Sequence, residues 1–141
     1  MGGRRPVLLV GLIGTVGWLA QADANSVSSY FDGKRYDFTF TCEELEATPA
    51  WPGTEAHPPL EPREALNIAR GQLDTLVPNA SEWRLGEISL RQACTPDQWY
   101  YVVSLSPPPP RPDGGITPIF DLVVLMNGRA IRPDVSPWPA P

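Results

Sequence analysis

The sequence predicts an α+β domain: one helix packed on a four- or five-stranded antiparallel sheet, with proline-rich loops and tail. Three observations predict it. An apolar stripe at spacings of three and four runs through residues 62–77, several short runs alternate apolar with polar side chains, and Gly, Pro, Asn and Asp punctuate the runs.

Taken in order, the chain opens with a basic stretch at Arg4-Arg5 and is then apolar from Val7 to Ala20, interrupted only by glycines and Thr15. This is the layout of a secretory signal peptide over residues 1–24. Ala22 and Ala24 occupy the positions a signal peptidase reads, and Ala20-Gln21-Ala22 offers an alternative cut two residues earlier. An apolar run of this length reaches ~21 Å as a helix, short of a ~30 Å hydrocarbon core, so cleavage is favoured over anchoring. With no Cys before Cys42, the lipid-bearing Cys of a bacterial lipoprotein is also missing from its place.

Residues 25–132 then form the single domain. Ser26–Phe31 and Arg35–Cys42 flank the turn-forming Asp32-Gly33-Lys34 and read as a hairpin. Residues 43–62 are rich in Glu, Pro, Ala and Gly and read as an irregular surface loop. A helix follows from Pro62 to Leu76, with Pro at its first turn, acidic Glu61 and Glu64 at its positive end, and Leu66, Ala69, Leu73, Leu76 and Val77 on one face. Pro78 stops it. Residues 83–94 alternate as a strand whose phase slips at Gly86-Glu87, the signature of a bulge.

After a turn at Thr95-Pro96-Asp97, residues 98–105 carry bulk on both faces and read as a central strand. Residues 106–118 leave the sheet as a proline-rich arm. Ile119–Met126 returns as a strand, Asn127-Gly128 fits a type I′ turn, and Arg129–Arg132 closes the hairpin. The tail, residues 133–141, has four prolines and reads as extended, pinned by Trp138.

Removing Arg4, Arg5 and Asp23 takes the 11 basic and 16 acidic side chains to 9 and 15, an acidic balance that argues against nucleic acid as a partner. Among the basic residues only Lys34 is a lysine, an arginine skew expected of a GC-rich bacterial genome. Periplasm or medium is therefore the expected location, with no membrane attachment after cleavage. In that oxidising setting Cys42 and Cys94 read as a disulfide. Closing a loop of that length stabilises by ~4 kcal/mol in the chain-entropy model.

Catalytic residue types are scarce. His57 is the sole histidine and sits in the proline-rich loop, no serine lies in a Gly-x-Ser-x-Gly elbow, and Glu43, Glu44 and Glu46 lack the Gly-bearing turn of a calcium loop. Those acids read as a solvated strand end. No metal and no cofactor are expected. Asn79-Ala80-Ser81 fits a glycosylation acceptor, which is incidental in a bacterium. The candidate binding surface is aromatic and proline-rich: Trp51, Trp99, Tyr100 and Trp138, with Pro107, Pro108, Pro109 and Pro110 as a stiff segment suited to an aromatic-lined groove.

Pro62-Arg63-Glu64-Ala65-Leu66-Asn67-Ile68-Ala69, Trp99-Tyr100-Tyr101-Val102-Val103 and Val123-Val124-Leu125-Met126-Asn127-Gly128-Arg129 resemble the opening helix, central strand and closing hairpin of PepSY domains. The wider cystatin-like shape is similar. Over residues 62–132, this resemblance implies an exported or membrane-linked module without cofactor that restrains peptidases or binds a partner. The proline arm, the N-terminal strand and the Cys pair depart from the pattern, and no Gln-x-Val-x-Gly inhibitory loop is present. The sequence thus points to an exported, non-catalytic binding or structural module for a protein or peptide. The alternatives are a small envelope hydrolase with a carboxylate site and an inhibitor of an envelope peptidase.

Overall fold

The computed structural model describes residues 24–108 and 117–139. The expected leader, with Ala22, therefore lies outside the described residues, as do Pro109 and Pro110. Ala24 is the first residue of β1.

Strands β1 (Ala24–Phe31) and β2 (Lys34–Thr41) pair antiparallel from Ala24 opposite Thr41 to Phe31 opposite Lys34. Asp32 and Gly33 join them with positive φ at both positions, 49° and 69°. That is the twist-matched two-residue hairpin turn for which Asp-Gly is selected. At Thr41 the chain enters a one-turn helix, α1 (Cys42–Glu46), instead of the expected loop. Its cause is a capping box: the Thr41 hydroxyl accepts the Glu44 N–H at 3.1 Å, and Glu44 Oε2 accepts the Thr41 N–H at 2.8 Å.

Helix α2 (Pro62–Leu76) has the predicted bounds, with Ala65, Ala69 and Leu73 buried against β4 and β5. A 3₁₀ turn, Ala80–Glu82, leads into β3 (Arg84–Gln92). Strands β4 (Trp99–Ser106) and β5 (Phe120–Leu125) follow, and β6 (Asp134–Pro137) ends the fold. The phase slip read at Gly86 is a bulge between Leu85 and Glu87.

The strands form two three-stranded sheets, β1-β2-β6 and β3-β4-β5, which corrects the expectation of one helix on a single four- or five-stranded sheet. The physical reason lies at the outer edge of β5. There Ser29 of β1 presents its hydroxyl, accepting the Asp121 N–H at 2.8 Å and donating to the Asp121 carbonyl at 3.0 Å. Further along, Ile131 N–H donates to Val123 O at 3.0 Å and Leu125 N–H to Arg129 O at 2.9 Å. With these groups satisfied, no strand of the hairpin extends the sheet by a backbone ladder.

The hairpin instead packs its aromatic face inward. Tyr36 meets Phe120 at 4.9 Å between ring centroids, Phe38 meets Phe120 at 6.1 Å and Phe40 meets Tyr100 at 4.8 Å, all edge to face. β4 is central in its sheet, and Tyr100, Tyr101, Val102 and Val103 are all buried.

Two smaller expectations also change. The turn after β5 is not type I′: only Gly128 has positive φ, 82°, and Gly128 N–H donates to Leu125 O at 2.9 Å. A three-residue loop of this kind lets Met126 point into the core, where it is buried. The closing strand shrinks to a single bridge, Val124 opposite Ala130. The tail is extended, and it also supplies β6, which pairs Lys34 with Pro137 through Asp37 with Asp134 on the free edge of β2.

Candidate functional site

The disulfide is formed. Cys42 and Cys94 are bonded with their Cα atoms 5.7 Å apart, tying the start of α1 to the β3–β4 turn. Asn25 Nδ2 lies 3.6 Å from the Cys94 sulfur. Such a bond is compatible with an oxidising, exported location. Among the described residues no helix is long and apolar enough to cross a membrane.

The expected aromatic surface divides into separate places. Trp51 and Trp99 come together with centroids 5.4 Å apart, and the Trp51 backbone N–H donates to Asp97 O at 2.8 Å. Trp51 Nε1 donates to Glu55 O at 3.0 Å, so this pair fastens the proline-rich loop to the entrance of β4. Tyr100 faces Phe40 in the core and offers no open surface. Pro107 and Pro108 carry the chain away from β4.

Trp138 lies elsewhere, at the β1–β2 turn. Its N–H donates to Gly33 O at 2.8 Å, and its ring packs against Tyr30 with centroids 5.0 Å apart and planes tilted by 54°. Tyr30 and Trp138 stay 41% and 45% exposed. At the β1–β2 turn and along β6, Asp32, Gly33, Lys34, Val135, Ser136 and Pro137 line a hollow of about 310 Å³, and neither ring is among its lining. Sequence reasoning missed Tyr30, and one signal was available. Val27, Ser29 and Phe31 share the inward parity of β1, which leaves Tyr30 as a large aromatic on the opposite face.

The outer face of this sheet is polar around that pair. Asp37 accepts from the Ser28 hydroxyl at 2.5 Å and from Arg35 Nε at 2.8 Å. These contacts, the serine first, hold its carboxyl below the usual carboxylate value and in turn raise Arg35. Glu44 is also held low, chiefly by the Thr41 backbone N–H and then by Arg129, whose Nη1 is 3.3 Å away. Glu43 and Glu46 are solvated as read, but on α1 instead of a strand end, and Glu44 serves as the cap.

His57 is exposed, with Nδ1 3.8 Å from Glu61. Among the described residues, no three His, Cys, Asp or Glu side chains gather as a metal site. A second hollow, of about 580 Å³, lies between the end of α2 and residues 130–133, lined by Gln72, Thr75 and Arg132. Gln72 Nε2 spans it to Ile131 O at 2.5 Å. The chain matches no protein-family model, no curated protein and no solved structure.

Proposed function

We propose that the protein is an exported, non-catalytic binding module that receives an extended peptide segment of a partner protein at the Tyr30–Trp138 face. The observation that carries this reading is the aromatic pair itself: two half-exposed rings in tilted contact, drawn from distant parts of the chain and held in place by backbone pairing. Folding into β6 fixes Trp138 before any partner arrives, which lowers the entropic cost of binding. By register Arg35 and Ser136 share the face of Tyr30 and offer polar groups beside the rings to orient a backbone. Rigid aromatic platforms of this kind suit extended or proline-containing peptides, whose own ordering cost is small.

Export rests on the leader-like residues 1–24 and on the disulfide. The likeness of residues 62–132 to PepSY-type modules points the same way. Peptide selection on the purified protein, recovered from periplasm or medium with Asp23 or Asn25 as its first residue, tests the proposal. Enriched peptides should bind the wild type and lose at least about tenfold in affinity on Trp138→Ala, as expected for a buried aromatic anchor. Equal binding by the variant, no enrichment over an unrelated protein, or an uncut N-terminus sinks it.

A further inference from the structure

The two edges of the β3-β4-β5 sheet are treated differently. The outer edge of β5 is capped by Ser29, Arg129 and Ile131, as described above. The outer edge of β3 has no strand beside it among the described residues, although β3 is nine residues long. The Ala93 N–H donates to Gln98 O at 3.2 Å, so alternation along the ladder turns Arg91, Ser89 and Glu87 toward β4. The backbone groups of Ile88, Leu90 and Gln92 then point outward, with no strand paired to them among the described residues. Open edges in monomers are commonly blunted by a bulge or by charges set against pairing. Here the bulge lies at Gly86 and leaves residues 87–92 regular.

From this edge we infer that the protein forms a homodimer by antiparallel pairing of β3 with β3 of a second copy, about a two-fold axis at Ser89. The charge pattern is what selects a second copy as the occupant. About that axis, Glu87 of each copy lies opposite Arg91 of the other, giving two opposite-charge cross-strand pairs on one face. On the other face Ile88 lies opposite Leu90 twice, extending the apolar layer against which both side chains already pack. The register also places the outward-pointing backbone groups of Ile88 and Leu90 opposite each other, so they complete ladder hydrogen bonds. Glu87 and Arg91 are exposed, and neither is in an ion pair with any described residue. The result is one continuous six-stranded sheet with the closed interface of a symmetric dimer.

Sedimentation velocity of the oxidised protein from micromolar to near-millimolar concentration tests this. The wild type should dimerise reversibly. Glu87→Arg and Arg91→Glu each place like charges opposite one another twice, and each should weaken dimerisation by at least about tenfold. An equimolar mixture of the two variants restores both opposite-charge pairs and should dimerise like the wild type. Circular dichroism and thermal melting of each variant report that the fold is intact. A wild type that stays monomeric throughout, single variants that dimerise as well as it does, or a mixture no tighter than either variant alone would each overturn the inference.

Discussion

Tyr101 shows how much one side chain can be asked to do. Its ring is fully buried in the central strand, and its hydroxyl reaches across to donate to Leu60 O at 2.5 Å, fixing the entry to α2. Burial first, and the charge of Glu61 second, push its phenol from 10.0 up to about 12. A proton released later by the folded than by the unfolded chain stabilises the fold fully below pH 10, and that stabilisation is lost as pH rises toward 12. Tyr101→Phe should cost about 1–3 kcal/mol, because it leaves the Leu60 carbonyl without its donor. It should also flatten the fall in urea midpoint above pH 10; an unchanged alkaline slope would contradict the assignment. At this scale the disulfide was legible, but from cysteine count and compartment more than from geometry. Cys42 begins a helix where a strand end was read, and Cys94 sits at φ 70°, in the left-handed region.

Among the elements, Ser29 decides how the two sheets meet. A small hydroxyl residue on the inward face lets β1 approach β5 closely, and one oxygen serves both backbone groups of Asp121. Ser29→Ala leaves that N–H and carbonyl unpaired and should lower unfolding free energy by about 1–3 kcal/mol, read by urea denaturation. Loss below a few tenths would mean that water replaces the hydroxyl. Helix α2 and the β3 bulge were legible because each writes its own period into the sequence: Leu66, Ala69, Leu73, Leu76 and Val77 at steps of three and four, and the parity change across Gly86. The fully buried helix face nonetheless has Ala65 where Leu66 was read, and leaves Leu66 and Leu76 partly exposed. α1 was not, since the surrounding prolines and glutamates hid a Thr-x-x-Glu capping box. β6 was less legible still. It has four residues, with Pro133 just before it and Pro137 at its end, and its extended pairing is imposed by the bare edge of β2.

For the molecule as a whole, the Cys42–Cys94 bond closes a chain segment spanning α1, α2 and β3. Replacing both cysteines by serine should therefore lower stability by ~4 kcal/mol, measured in urea against the oxidised protein. A double variant as stable as the wild type would show that packing alone sets the fold. The candidate site was the least legible part of the sequence, and the reason is physical. Tyr30 and Trp138 come from opposite ends of the domain, and no local periodicity records that β6 brings them together. Trp51 and Trp99 were read as part of one surface with Trp138, yet they serve a different loop.

β6 also has a consequence in time. A chain that emerges from a ribosome or a pore with its N-terminal end first cannot complete the first sheet until residue 137 is out. Up to that moment residues 34–37 have no partner on one side, and the Trp138 that covers Tyr30 has not arrived. Closure of this sheet thus waits on residues 134–137, and the covering of Tyr30 on Trp138.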